Sequence, residues 1–219
     1  DMQPIPSRFF RQDDTFLQPK AIVAFRFHSP YAAKDVASFV RSSLWCDAVS
    51  EELREYAYDA QLAGLSFSLR PAAGGLVLSV SGFNDKLPEL LSAVAQKMRG
   101  TTIVDPTTFA LVYERYERAL KNVLKEKPYV QAIRRMRELL FSLGFPYEEQ
   151  LGALRGTVAA DLAGLAHELL DLCHVEVLAQ GNMTSAEASE VVERLASTLG
   201  LQTTLQELPV RAEAALPEG

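Results

Sequence analysis

Three histidines, two cysteines and one basic stretch are the residues of this chain best suited to chemistry, and their spacing serves it poorly. His167 opens the run HELLDLCH. A zinc helix of the H-E-x-x-H type needs a second histidine at position 171, so that two imidazoles one turn apart share a face, and Asp171 stands there instead. His167, Asp171 and His174 form a formal three-ligand alternative. But His174 begins an alternating run that reads as a strand, which rotates its side chain away from the helix face. Cys173 adjoins His174, yet strand neighbours point to opposite faces and cannot form a nucleophile–base pair. Cys46 has no obvious activating base. The serines include no G-x-S-x-G elbow. Gly74-Gly75 is followed by no phosphate-binding motif and reads as a turn.

The basic stretch runs from Arg115 to Arg137. It holds Arg115, Arg118, Lys121, Lys125, Lys127, Arg134, Arg135 and Arg137 against Glu114, Glu117, Glu126 and Glu138. Such a run can attract acidic peptides or polyanions. Arg134, Arg135 and Arg137 are the contact candidates. The plainer alternative is a solvated helix face with pairs such as Glu117–Lys121. Tyr56, Tyr58, Tyr113 and Tyr116 lie near apolar stripes and read as core or interface packing.

Apolar residues make up 48% of the 219, enough for a substantial core. The net charge of −6 argues against a general nucleic-acid binder. The longest apolar runs are too short to span a bilayer. No signal peptide opens the chain, although an excised fragment would have lost one. Cys46 and Cys173 suit buried thiols or a reducing compartment, which favours the cytoplasm.

Periodicity places these residues on elements. Ala21 to Phe27 alternates and reads as a strand. Val36, Phe39, Val40 and Leu44 begin a helix that can run on into Leu53, Tyr56, Ala57 and Ala60. Gly64 suits a left-handed cap. Leu65, Phe67 and Leu69, then Leu76, Leu78 and Val80, alternate around the turn-rich Pro71 to Gly75, predicting a hairpin. Asn84 or Asp85 is a candidate cap for a helix with Pro88 in its first turn and Gly100 at its end. Asp105-Pro106 starts the clearest amphipathic helix, with Phe109, Val112, Tyr113, Tyr116, Leu120, Val123 and Leu124 as its stripe. Lys127-Pro128 breaks it, and a further helix spans Val130 to Leu143. Thr157 is a candidate cap for a helix burying Leu162, Leu165, Leu169 and Leu170. His174 to Ala179 is a strand. Thr184 with Glu187 forms a capping box for a helix ending at Gly200. Leu201, Thr203 and Leu205 suggest a last strand. Strands and helices segregate, so the fold class is α+β. Residues 1–208 form a single domain, and 209–219 a frayed tail or severed linker.

The runs EYAYDAQLAGLSFSL (Glu55 to Leu69) and GLVLSVSGFNDKLP (Gly75 to Pro88) carry a strong resemblance. So do QDDTFLQPK (Gln12 to Lys20) and FRFHSP (Phe25 to Pro30), and, more loosely, RALKNVLKEKPYVQA (Arg118 to Ala132) and HVEVLAQGNMT (His174 to Thr184). Together they resemble the third domain of the insulin-degrading enzyme and pitrilysin family of inverted zinc peptidases, from about Gln12 to Gly200. The resemblance implies a mainly antiparallel sheet covered by helices. It also implies a parent chain of four related domains closing around a chamber, with an H-x-x-E-H zinc site in the first. The equivalent helix here, AAKDVASFVRSSLW, has no histidine. The expectation is therefore no catalytic residue, no metal ligand and no cofactor in this chain, with zinc in the parent's catalytic domain. The expected role is a non-catalytic, chamber-forming domain that contacts peptide substrate and the other domains of its parent. The alternative is a stand-alone structural or binding subunit, like the core subunits of respiratory complexes. An excised domain would expose apolar surface and so self-associate weakly.

Overall fold

A computed structural model describes residues 7–32, 34–72, 74–140 and 145–201. The tail 209–219, most of the expected last strand and the expected helix stop at Gly144 lie outside these residues.

Five strands form one sheet in the order β1-β5-β2-β4-β3. They are β1 (Ser7–Gln12), β2 (Lys20–His28), β3 (Ser66–Ala72), β4 (Gly75–Phe83) and β5 (His174–Gly181). Only the β1–β5 pair is parallel; the others are antiparallel. The fold is thus α+β with a mostly antiparallel sheet. Strand β1 has no counterpart in the sequence reading.

The strands are written in period two, and the sheet is one-sided as a result. Val23, Phe25 and Phe27 of β2, Leu76, Leu78 and Val80 of β4, and Val175, Val177 and Ala179 of β5 are all buried on one face. There they join a continuous core with Leu44, Trp45 and Val49 of α1 (Val36–Glu52), Leu90, Leu91 and Val94 of α3 (Leu87–Gly100), and Val192 and Leu195 of α8 (Ser185–Leu199). The remaining helices are α2 (Arg54–Leu62), α4 (Pro106–Asn122), α5 (Pro128–Leu140), α6 (Tyr147–Arg155) and α7 (Leu165–Leu170).

The hairpin is as expected, but its loop is shorter. Pro71 and Ala72 stay in β3 and pair with Leu76 and Gly75. Proline is tolerated there because β3 is an edge strand. Gly75 is obligatory: a Cβ there would sit 1.7 Å from the Phe27 carbonyl oxygen on β2. Gly64 takes φ +77°. Its N–H donates to Gln61 and that of Leu65 donates to Ala60, closing α2 with a Schellman motif. Asp105 caps α4 by accepting from the N–H groups of Thr107 and Thr108. Thr184 and Glu187 form the reciprocal capping box of α8.

Several local expectations fail. Asn84 and Asp85 cap nothing; with Lys86 they form a 3-10 turn that feeds α3. Thr157 does not cap a helix either. Its hydroxyl donates back to the Ala153 carbonyl, four residues earlier in α6. A 3-10 turn (Ala159–Leu162) follows, and Gly164 at φ +73° starts α7. The stripe Leu53, Tyr56, Ala57 and Ala60 is buried only in part: Leu53 is inside and Ala60 packs against the core, but Tyr56 is 44% exposed.

Candidate functional site

The helix that would carry an inverted zinc motif is α1, and its side chains are committed elsewhere. Asp35 caps it, accepting from the Ser38 N–H at 2.7 Å. Trp45 is fully buried and donates its indole N–H to the Thr101 carbonyl at 3.1 Å. The hydroxyls of Ser42 and Ser43 donate to the carbonyls of Ala32 and Phe39.

A polar seam runs along α1 toward α4 and α6. The Tyr116 hydroxyl donates to Gln150 Oε1 at 2.7 Å. Burial raises the Tyr116 phenol and the Asp47 carboxyl alike, with Arg115 partly opposing the rise at Asp47. Glu51 accepts from Arg115 at 2.9 Å and from Arg54 at 3.0 Å. Burial opposes these two arginines, but together they hold Glu51 below the usual carboxylate range. The seam ties helices together through ion pairs and hydrogen bonds. Among the described residues no group of three His, Cys, Asp or Glu could hold a metal ion.

His174 lies apart from His167 and Asp171, as its place at the start of a strand foretold, but it meets His28. His167 Nδ1 and Asp171 Oδ2 are 3.3 Å apart at the surface, and Asp171 is also held by Arg99. His174 begins β5 and points into a different cluster. There it faces His28, its register partner on β2, with ring centroids 6.0 Å apart. His28 Nε2 meets Glu176 at 2.8 Å, and His174 Nε2 meets the Ser7 hydroxyl at 3.3 Å. This cluster was invisible in the sequence, because it joins positions separated by well over a hundred residues. Cys173 is buried and donates to the Leu170 carbonyl; burial pushes its thiol up to about 12. Cys46 is fully buried, and burial raises its thiol well above the ordinary value, with Asp47 adding to the rise.

Of the three arginine candidates, Arg134 is bound by both oxygens of Glu126. Arg135 bridges Glu138 and Glu148 and stacks over the Tyr147 ring. Arg137 is exposed. The structure does bring them onto one helix, but two of the three charges are already matched.

The side of the sheet turned away from the helices is uncovered by any described element. Register gives it three rows. The first is Phe9, Leu178, Ala24, Ser79 and Ser68; the second is Arg11, Gln180, Ile22, Ser81 and Ser66; the third is Ser7, Glu176, Arg26, Val77 and Arg70. Phe9, Leu178 and Ile22 are 60%, 45% and 42% exposed, so the β1–β5–β2 half carries apolar side chains among Arg11, Gln180, Glu176 and Arg26, and the β3–β4 half is serine-rich. An open cleft of about 660 Å³ lies at one end, lined by Asp13, Phe16, Lys20, Ile22, Ser81 and Gln180 among others.

A one-sided sheet of this order, with a histidine-free α1, has clear relatives. The family described as the middle or third domain of peptidase M16 matches residues 2–153. The chain belongs to this family. It is a non-catalytic M16 domain of the insulin-degrading-enzyme type. It is 36% identical to human insulin-degrading enzyme over 191 residues, which is 87% of this chain and 19% of that protein. It is 35% identical over 187 residues, 84% of this chain and 19% of that one, to a Schizosaccharomyces pombe protein provisionally named a zinc protease. Its fold superposes on crystalline pitrilysin with a TM-score of 0.81 at 22% identity, covering 91% of this chain and 21% of that one. The M16 chain thus spans about one-fifth of the length of the curated relatives it matches. No described helix is long and apolar enough to cross a membrane.

Proposed function

We propose that this M16 domain forms part of the wall of a substrate chamber in a multidomain zinc peptidase, enclosing peptides that a sister domain cleaves. The observation that carries the reading is the open sheet face. A soluble sheet normally covers a face holding Phe9, Ile22 and Leu178, because uncovered apolar surface in water is unfavourable. Here one half sets Phe9, Ile22 and Leu178 among polar and charged side chains, and the other is rich in short hydroxyls. Such a surface can touch unfolded peptides of many sequences without selecting one. Bond cleavage would rest with a zinc-bound water and a glutamate base in the sister domain, and this chain would add contact area and confinement.

The experiment is to place a charge on the open face in the complete enzyme. Leu178→Glu and Ile22→Glu should raise KM for long peptides several-fold while leaving short-peptide turnover and zinc content unchanged. Unchanged kinetics for all peptide lengths would count against the chamber role. The full reading frame is the second check: a module with an H-x-x-E-H helix should lie elsewhere in it. A frame holding only this domain would favour a stand-alone structural subunit instead.

A further inference from the structure

Helix α5 is mounted inside out. No residue of it is buried. Its polar side faces the rest of the domain. The Gln131 amide donates to the carbonyls of Leu124 and Glu126, Arg134 grips Glu126, Arg135 reaches Glu148 and Tyr147, and the Glu138 side chain is only 13% exposed. The other side carries Tyr129, Ile133, Met136 and Leu140, spaced four, three and four residues apart and so aligned in one stripe. Tyr129, Ile133 and Met136 are 63%, 44% and 52% exposed; Leu139 beside them is 78% exposed and Leu124, just before the helix, 63%. A surface helix normally turns its apolar stripe inward, because packing of that stripe supplies most of its stability. Val130 and Leu140 are half-buried, but a helix of 13 residues with no fully buried side chain is marginal in water.

We infer that this stripe is the seat of another M16 domain of the same polypeptide. The inference rests on the multidomain reading above and names the surface through which that assembly is held. Three observations select this occupant. The curated relatives are about five times as long as this chain, so most of the polypeptide lies outside it and is tethered at high effective concentration. The stripe needs permanent cover for α5 to persist, which a transient peptide does not give. And Arg137, exposed at the rim, has no partner among the described residues, so the complementary surface should be apolar with an acidic border.

The test is hydrogen exchange on the complete parent protein. The amides of α5 should exchange as slowly as those of α8, independently of protein concentration and of added peptide. Ile133→Asp in the same protein should speed exchange in α5 at least tenfold while the amides of β2, β4 and β5 keep their protection. Fast exchange in unmodified α5 overturns the inference. So does protection that appears only with saturating peptide, which would make the stripe a substrate surface, or only at high concentration, which would make it a contact between copies. A reading frame with no second M16 domain overturns both this inference and the multidomain reading; a frame that has one, with α5 unprotected, overturns this inference alone.

Discussion

His28 and His174 stand directly opposite each other on β2 and β5, and among the described residues the only carboxylate bonded to the pair, Glu176, is bonded to His28. His174 is left with a serine hydroxyl and a neighbouring imidazole. Its pKa is lowered, first by burial and then by the charge of His28, with Glu176 opposing. Glu176 is lowered too, chiefly by its bond to His28, with Arg26 across the ladder adding to the effect.

Both shifts act in the same direction on stability. The unfolded chain holds a proton on His174 up to its ordinary value of 6.5, whereas the folded chain resists it. Stability is therefore complete above pH 6.5 and declines as the pH falls through the lowered value. Glu176 adds a second decline below its ordinary value of 4.5. Melting temperature should step down between neutral pH and pH 5.5. His174→Gln should flatten that step. An unaltered slope in the variant would assign the acid sensitivity to other groups.

Trp45 is fully buried and its indole N–H satisfies the Thr101 carbonyl. Trp45→Phe leaves that carbonyl unpaired and a small void. The cost should be about 2–4 kcal/mol, from the orphaned acceptor and the lost packing together. Denaturant titration followed by circular dichroism measures it, since the substitution removes the chain's single tryptophan.

Thr184 accepts from the Glu187 N–H and begins α8. Thr184→Ala should cost about 1 kcal/mol. The loss should appear first as faster exchange in the opening turn of α8, with α3 following because the two helices pack together. A wild-type melting curve would show that packing alone fixes the start of α8.

The thiols of Cys46 and Cys173 are buried and raised, so the thiolate is scarce at neutral pH. Neither should react with an aromatic disulfide reagent in the native protein at pH 8, and both should react at once in denaturant. The purified chain should also hold no stoichiometric zinc and show no chelator-sensitive peptide hydrolysis. Burst labelling of one thiol in the folded state would place it in an opening segment.

The sheet and its central helices were legible because their signals are local. Alternation wrote β2, β3, β4 and β5, and Gly64, Asp105 and the Thr184–Glu187 box marked ends by their own backbone chemistry. Strand β1 was not legible: SRFFRQ places two phenylalanines side by side, without alternation, and is held only by a partner far along the chain. Helix α6 was missed because YEEQLGALR is thinly apolar. Thr157, Asn84 and Asp85 look like caps by type, but a cap needs a helix to begin at the next residue, and here 3-10 turns intervene. The absence of a zinc spacing could be read directly from residue types, whereas the His28–Glu176–His174–Ser7 cluster depends on register and could not. The orientation of α5 was equally hidden, since periodicity shows a stripe but not which side of the helix meets the body.

The insertion of β5 between β1 and β2 fixes an order of events during synthesis. Ser7 to Gln12 leave the ribosome long before their ladder partner, Glu176 to Gly181. Until then the first strand has nowhere to dock and β2 has a bare edge. Such distant pairing slows folding. A newborn domain therefore carries an unzipped sheet from the synthesis of β1 until that of β5, and this is the interval in which a chaperone has most to protect.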